Sequence, residues 1–246
     1  MITVELGNAL RRVAHLPRLL VACDYDGTLS PIVDDPSAAV AHAPAVAALV
    51  ALADFPNVRS AIISGRSLDT LATLVDTPPS VTLIGDHGAR LSRLDPEALR
   101  TVEAVSEALA VVAGDFAGAM VEQKSLGAAL HYRHVVDPEK AADAARAVGA
   151  RFGVRIIEGK RVVEIVVGDG DKGAAIEELR SSESCDAVVF FGDDVTDEDV
   201  FAVLGDDDVG VKVGDGISLA PYRVADPVEV GGALERLCSE LRMSSR

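Results

Sequence analysis

The sequence predicts an α/β fold: a parallel sheet covered by helices, interrupted by an inserted α+β domain. Three observations predict it. Short apolar runs alternate with helical patterns in the outer thirds of the chain. The middle third changes to helix–strand–strand, and does so twice. Four polar motifs each fall just beyond a predicted strand, where open α/β sheets bind ligands.

Residues 19–23, Val58–Ile63 and Val81–Ile84 are short and mainly apolar, as expected of strands buried on both faces. Between them, residues 45–53 and 67–75 carry apolar positions at helical spacing. From about residue 98 the rhythm differs. A helix over 100–113 precedes alternating segments 119–124 and 128–134, and a helix over 138–148 precedes segments 153–157 and 160–167. Alternation implies a sheet with one wet face. The first rhythm then resumes, with a helix over 172–179, a strand over 187–191, a helix over 197–204, strand Val209–Val213 and a closing helix over 229–241. The domains expected are therefore 1–97 with 169–246 as a Rossmann-like core, and 98–168 as the insert. Linkers near 89–98 and 168–171 would let the insert open and close.

Composition narrows the partners. The chain has 246 residues, 49% of them apolar, enough for a buried core. Its 39 acids against 23 Lys and Arg give a net charge of −16, which repels a phosphate backbone and argues against nucleic acid. An anionic small substrate then needs a metal ion and local cations. Cys23, Cys185 and Cys238 are few, widely spaced and odd in number, so neither a disulfide framework nor a zinc site is expected. A reducing cytoplasm fits, and no stretch has the ~20 apolar residues of a membrane span.

Asp24-Tyr25-Asp26-Gly27-Thr28 follows the first strand. Two carboxylates at a strand end can divide the work, one attacking and one handling protons. A strand-end turn is the plainer alternative. An EF-hand fails for want of a third acid before the glycine and of a closing Glu. Ile63-Ser64-Gly65-Arg66 follows the next strand. Here Ser64 can offer its hydroxyl, and the turn its N–H groups, to a phosphate oxygen; a helix N-cap is the plainer reading, and the two roles are compatible. Gly168-Asp169-Gly170-Asp171-Lys172-Gly173 matches the dinucleotide fingerprint G-x-G-x-x-G. It comes too late in the chain, and two aspartates in the turn would repel a pyrophosphate. Lys172 reads better as a point cation for a phosphoryl group. Asp193-Asp194-Val195-Thr196-Asp197-Glu198-Asp199 crowds like charges. It suits Mg²⁺, while its later acids also suit a helix start.

In this order the four motifs resemble those of the haloacid dehalogenase superfamily across both outer thirds. That resemblance implies a phosphatase core in which Asp24 attacks phosphorus and Asp26 is the general acid and base. Ser64 and Lys172 would hold phosphoryl oxygens. Mg²⁺ would sit on Asp24, the Asp26 carbonyl and Asp193, with Asp194 or Asp197 in support. The insert reads as a C2-type cap.

Within the insert, Glu122 and Lys124 share one strand face, His131 and Arg133 another, and Lys160 and Glu164 could join them. Solvated ion pairs are the plain alternative. The strings Val121-Glu122-Gln123-Lys124, Leu130-His131-Tyr132-Arg133 and Glu158-Gly159-Lys160-Arg161-Val162-Val163-Glu164 are similar to the cap of trehalose-6-phosphate phosphatases. Gly85-Asp86-His87-Gly88 resembles that family's Gly-Asn-His-Gly loop. The likeness implies trehalose 6-phosphate as substrate, with Glu122, Lys124, Arg133, Lys160 and Glu164 on the sugar. It places Gly65, Arg66 and His87 at the entrance. Departures are Ile165-Val166-Val167 for Ile-Arg-Pro, Asp86 for Asn, and Asp171 for Asn before Lys172. With no Trp and 4% aromatics, charged and amide groups would have to read the sugar. Competing expectations are a phosphatase for sucrose or mannosyl-glycerate phosphate, an inactive sugar-phosphate sensor, and a nicotinamide oxidoreductase resting on the glycine string alone.

Overall fold

The computed structural model describes residues 2–33, 35, 38–88, 96–124, 126–168 and 171–244. The elements begin with α1 (Val4–Val13), β1 (Leu19–Asp24), α2 (Ala43–Ala53), β2 (Val58–Ile63), α3 (Leu68–Leu74) and β3 (Val81–Ile84). Next come α4 (Pro96–Asp115), β4 (Met120–Lys124), β5 (Gly127–His131), α5 (Pro138–Phe152), β6 (Arg155–Gly159) and β7 (Val162–Val166). The chain closes with α6 (Lys172–Ser182), β8 (Ala187–Gly192), α7 (Glu198–Val203), β9 (Val209–Val213), β10 (Tyr222–Val224) and α8 (Pro227–Ser244). Two compact units result, residues 1–88 with 171–246, and 89–170. Most of the expected linker 89–98, Ser125 in the β4–β5 turn, and Asp169 and Gly170 of the glycine string lie outside the described residues.

The first unit holds a six-stranded parallel sheet in the order β10-β9-β8-β1-β2-β3. Alternate residues of β1 feed two different cores, which is why its sequence is apolar throughout. Leu19, Val21 and Cys23 pack with α1, α2 and α8. Leu20 and Ala22 pack with Ile176 of α6, Val200 and Phe201 of α7, and Phe190 of β8. Phe190 and Phe201 meet edge to face at 5.6 Å. Strand order reverses at β1, since β2 and β3 build one way and β8 to β10 the other. Such a reversal opens a crevice at the carboxyl ends of the strands, and Asp24 is the last residue of β1.

Two elements were not anticipated. In α1, Leu6, Ala9, Leu10 and Val13 form a buried stripe, and the Thr3 hydroxyl accepts the Leu6 N–H at 3.2 Å. The stripe and its Thr3 cap are both legible in the sequence. The three-residue edge strand β10 is too short for a periodic signal.

The second unit has an antiparallel sheet in the order β4-β5-β7-β6, with α4 and α5 on one face. Ala128, Leu130, Val163 and Ile165 point to the helices. Expected segments 128–134 and 160–167 prove too long. β5 stops at His131, and the Tyr132 N–H is taken by the Arg161 carbonyl at 3.0 Å. Lys160 and Arg161 form the β6–β7 turn, with Arg161 at φ +64°. Arg133 and Lys160 therefore sit beyond the strand ends, not on the sheet face.

One buried carboxylate ties the first unit together. Asp208 accepts the N–H groups of Val188 and Gly205 and a guanidinium proton of Arg180, each at 2.8 Å. Asp208→Ala should cost about 3 kcal/mol, because a strand N–H and a guanidinium both lose their acceptor. Urea unfolding checks this; a loss under ~1 kcal/mol, within the range of ordinary surface changes, would contradict it.

Candidate active site

Four loops at the carboxyl ends of β1, β2, β3 and β8, together with the first residue of α6, carry the polar groups of this site. Asp24 ends β1 and is buried. The chain then turns so tightly that the Gly27 N–H meets the Ser30 carbonyl at 2.7 Å. Tyr25 anchors this turn from below, its hydroxyl donating to the Ala39 carbonyl at 2.9 Å. Gly27 adopts φ +82°, and a Cβ there would lie 2.0 Å from the Asp193 carboxylate. Glycine is therefore required both by backbone and by the close approach of the β8 loop.

Lys172, the first residue of α6, is buried and donates to Asp24 Oδ1 and Asp197 Oδ1, both at 2.7 Å. Asp171 caps that helix, its carboxylate taking the Gly173 and Ala174 N–H groups at 2.7 and 3.2 Å. Asp197 is wholly committed: its Oδ2 accepts the N–H groups of Asp193 and Asp194 at 2.8 and 2.9 Å. Gly192 has no side chain because a Cβ would strike this carboxylate. Asp197 thus aims Lys172 and folds the acidic loop, while Asp194 is exposed.

Ser64 follows β2, buried, with its N–H on the Ile84 carbonyl at 2.9 Å. It does not cap α3; Ser67 does that through the Thr70 N–H. The Ser64 carbonyl accepts the His87 N–H at 2.9 Å, and the Arg66 carbonyl accepts the Asp86 N–H at 2.8 Å. Both Asp86 and His87 sit at positive φ, 52° and 53°. Two successive non-glycine residues there mark a strained loop of the kind found at functional sites. The buried His87 ring fills the space a Cβ on Gly65 would occupy. Arg66 grips Asp26 with two bonds, Nε to Oδ2 at 2.7 Å and an Nη to Oδ1 at 2.6 Å, over the Tyr25 ring.

The electrostatics call for a cation. Carboxylate oxygens of Asp24, Asp193 and Asp197 lie within 4.8 Å of one another. At an effective dielectric of ~20 each such pair repels by about 3–4 kcal/mol. Burial pushes the Asp24 carboxyl well above the usual range; Lys172 offsets this in part, and Asp197 and Asp193 raise it further. Burial, then Asp197 and Asp194, push Asp193 up to about 7. Burial opposes charge on Lys172, yet Asp197 and Asp24 outweigh it and hold the ammonium charged. Asp193 Oδ1 is buried with no hydrogen-bond partner. Hard oxygens with one orphaned acceptor fit a divalent metal. With Asp197 engaged, Asp24 and Asp193 are the two carboxylates that would hold it.

A family model for trehalose-phosphatase matches residues 22–220. The chain belongs to the trehalose-phosphatase family. A trehalose-phosphate phosphatase of Mycobacterium ulcerans is 36% identical over 264 residues, covering 96% of this chain and 67% of its own. A solved structure of a trehalose-6-phosphate phosphatase related protein superposes with a TM-score of 0.75 at 26% identity, covering 92% of this chain and 100% of that one. A haloacid dehalogenase-like hydrolase from Bacteroides thetaiotaomicron, 15% identical, shares the fold at a TM-score of 0.59, over 89% of this chain and 99% of that one. The fold is that of haloacid dehalogenase-like hydrolases, and family membership makes the chain a phosphatase.

In this phosphatase the second unit carries its own polar face. Strand register aligns Glu122 of β4, Ala129 of β5 and Glu164 of β7 across the sheet. Glu122 pairs with His131 at 2.8 Å, and Lys124 with Glu164 at 2.6 Å. The His131 bond, more than burial opposes it, holds the Glu122 carboxyl below its usual range. Glu122, Lys124, His131 and Glu164 are thus brought together; Arg133 and Lys160 are exposed in the turns.

Sequence reasoning missed Lys212, buried on β9, whose ammonium donates to the Asp193 carbonyl. The signal was present: a lysine inside Val209–Val213, a run expected to be buried on both faces.

The raised Asp193 value sets a pH dependence. The folded, metal-free protein holds a proton there up to about pH 7, whereas the unfolded chain releases it near 3.8. Stability without metal should therefore fall as pH rises between those values. A divalent metal held by Asp193 would displace that proton, so its apparent affinity should drop roughly tenfold from pH 8 to pH 6, with proton release rising towards one per ion at pH 6. Titration calorimetry in buffers of different ionisation enthalpy checks this; affinity flat across that range would contradict it.

Proposed function

We propose that this chain is a Mg²⁺-dependent phosphomonoesterase that hydrolyses trehalose 6-phosphate through an aspartyl phosphate on Asp24. The observation that carries the reaction type is the buried Asp24–Lys172–Asp197 array beside Asp193. Membership of the trehalose-phosphatase family supports the substrate. A bound Mg²⁺ would neutralise phosphoryl oxygens so that a carboxylate can approach the dianion.

The steps follow from the side chains. Asp24 attacks phosphorus while the P–O bond to the sugar breaks. Asp26 gives a proton to the departing sugar oxygen. A water then attacks the same phosphorus, Asp26 takes its proton, and phosphate leaves as Asp24 is restored. In this structure Arg66 holds Asp26 through two bonds, so Asp26 leaves that fork to serve the leaving oxygen. Lys172 and Ser64 hold phosphoryl oxygens, and the Ser64 hydroxyl oxygen is itself held by the Arg66 N–H at 3.2 Å. The load is large: phosphate monoester hydrolysis calls for up to about 10²¹-fold acceleration, roughly 29 kcal/mol. One well-placed donor contributes about 3–4 kcal/mol, so several must act with covalent catalysis.

For the sugar, we assign Glu122, Lys124 and Glu164 of the β4-β5-β7 face, with Arg133, Lys160 and His87 in support. Charged groups make hydrogen bonds to hydroxyls of about 1.5–3 kcal/mol, stronger than neutral pairs. Asp194 has no direct contact with the metal in this reading, and the compartment is cytoplasmic.

Two outcomes test the proposal. Phosphate release from a sugar-phosphate panel should be fastest with trehalose 6-phosphate, stop with EDTA, and fall at least about a thousandfold in Asp24→Asn. Persistence of turnover in that variant would remove the nucleophile assignment. Separately, Glu122→Ala should lower kcat/KM about 10–100-fold for trehalose 6-phosphate but under about threefold for a small aryl phosphate. Equal losses on both substrates would mean this face does not read the sugar.

A further inference from the structure

Lys212 is a second buried ammonium near the reaction centre, and the steps above do not use it. It lies on β9, paired in register with Gly192 of β8 and Arg223 of β10. Side chains paired in register share a sheet face. Lys212 therefore emerges on the side where Gly192 leaves room, the side that Asp197 occupies. Its stem lies in a wholly buried strand, and its ammonium donates to the main-chain carbonyl of Asp193. Its relative exposure is 5%, and no described carboxylate forms a salt bridge with it. A buried ammonium whose hydrogen bond goes to a neutral carbonyl is costly even with the Asp193 carboxylate attracting it. Its retention calls for a reason beyond packing, because a methionine of similar length would fill the same space at no charge cost.

We infer that Lys212 is a positioning residue that fixes the Asp193 main chain so that the Asp193 carboxylate faces Asp24 for the metal. Two bonds then brace this residue from opposite ends: Asp197 accepts its N–H, and the Lys212 ammonium donates to its carbonyl. The Asp193 side chain is left with an unpartnered buried oxygen and a fixed direction. Lys212 also offsets charge. The buried carboxylates of Asp24 and Asp197 and the half-buried one of Asp193 leave two formal negative charges against Lys172 alone; Lys212 reduces that to one. With a divalent ion the site then presents a net positive charge to a phosphate dianion. This inference rests on the reading that Asp24 and Asp193 hold the metal.

Charge and position make opposite forecasts for metal binding, which makes the inference testable. If Lys212 acted only as a nearby cation, Lys212→Met would tighten Mg²⁺ binding by removing repulsion. If it positions Asp193, the same change weakens binding. We expect at least a tenfold weaker Mg²⁺ affinity by titration calorimetry for Lys212→Met, with secondary structure by circular dichroism unchanged. Lys212→Gln, which keeps an N–H donor without the charge, should recover part of that loss. In the parent protein labelled with ¹⁵N-lysine, a buried, slowly exchanging ammonium resonance should shift when Mg²⁺ is added; this readout stands even where both variants fail to fold. Equal or tighter Mg²⁺ binding by a folded Lys212→Met, or no Mg²⁺-sensitive buried ammonium beyond that of Lys172, would overturn the inference. A parent protein that binds no Mg²⁺ at all would instead overturn the metal reading on which it rests.

Discussion

Concentrated negative charge with too little positive charge beside it is the constraint around which this structure is organised. Asp24 lies far along the chain from Asp193 and Asp197, yet the oxygens of all three lie within 4.8 Å of one another. Lys172 bridges two of them. Everything local serves to hold that arrangement. Gly27 and Gly192 lack side chains where a Cβ would strike a carboxylate. Asp197 spends both oxygens on Lys172 and on two main-chain N–H groups. The hydrophobic sheet beneath supplies the rigidity, since β1 is buried along its whole length and fed by two separate cores.

The second unit answers a different problem. Its helix-facing side is an ordinary apolar core, and its other side sets carboxylates and cations in alternation around small residues of β5. Such a face suits a neutral, hydroxyl-rich ligand better than an anion, because acceptors and donors are interleaved. In the proposed reading the first unit's carboxylates act on phosphorus, and the second unit's polar face offers hydrogen bonds to a sugar.

Much of this was legible in the sequence. The parallel sheet could be read because strands buried on both faces leave continuous apolar runs, and the inserted sheet because one wet face leaves alternation. The motif residues Asp24, Ser64, Lys172 and Asp193 could be read because loops at strand ends have fixed positions in such a fold. What escaped reading depended on geometry across the chain. The Arg66–Asp26 fork joins residues 40 apart, and nothing in either motif announces it. The commitment of Asp197 to Lys172 follows from burial, not from spacing. Arg133 and Lys160 were placed on strands because alternation continues into the turns, where a positive φ at Arg161 breaks the ladder. Lys212 lay in plain view, one charge in an apolar run, and its meaning required knowing what its ammonium touches.

The most direct test of the account is to trap the enzyme in mid-reaction. With trehalose 6-phosphate and Mg²⁺ present, the reaction is quenched in acid and reduced with borohydride, and the peptide carrying residue 24 is sequenced by mass spectrometry. The account predicts homoserine in place of Asp24, the mark of an acyl phosphate, and none when substrate is withheld. Continued phosphate release with no modified residue, or with the label on another side chain, would contradict it.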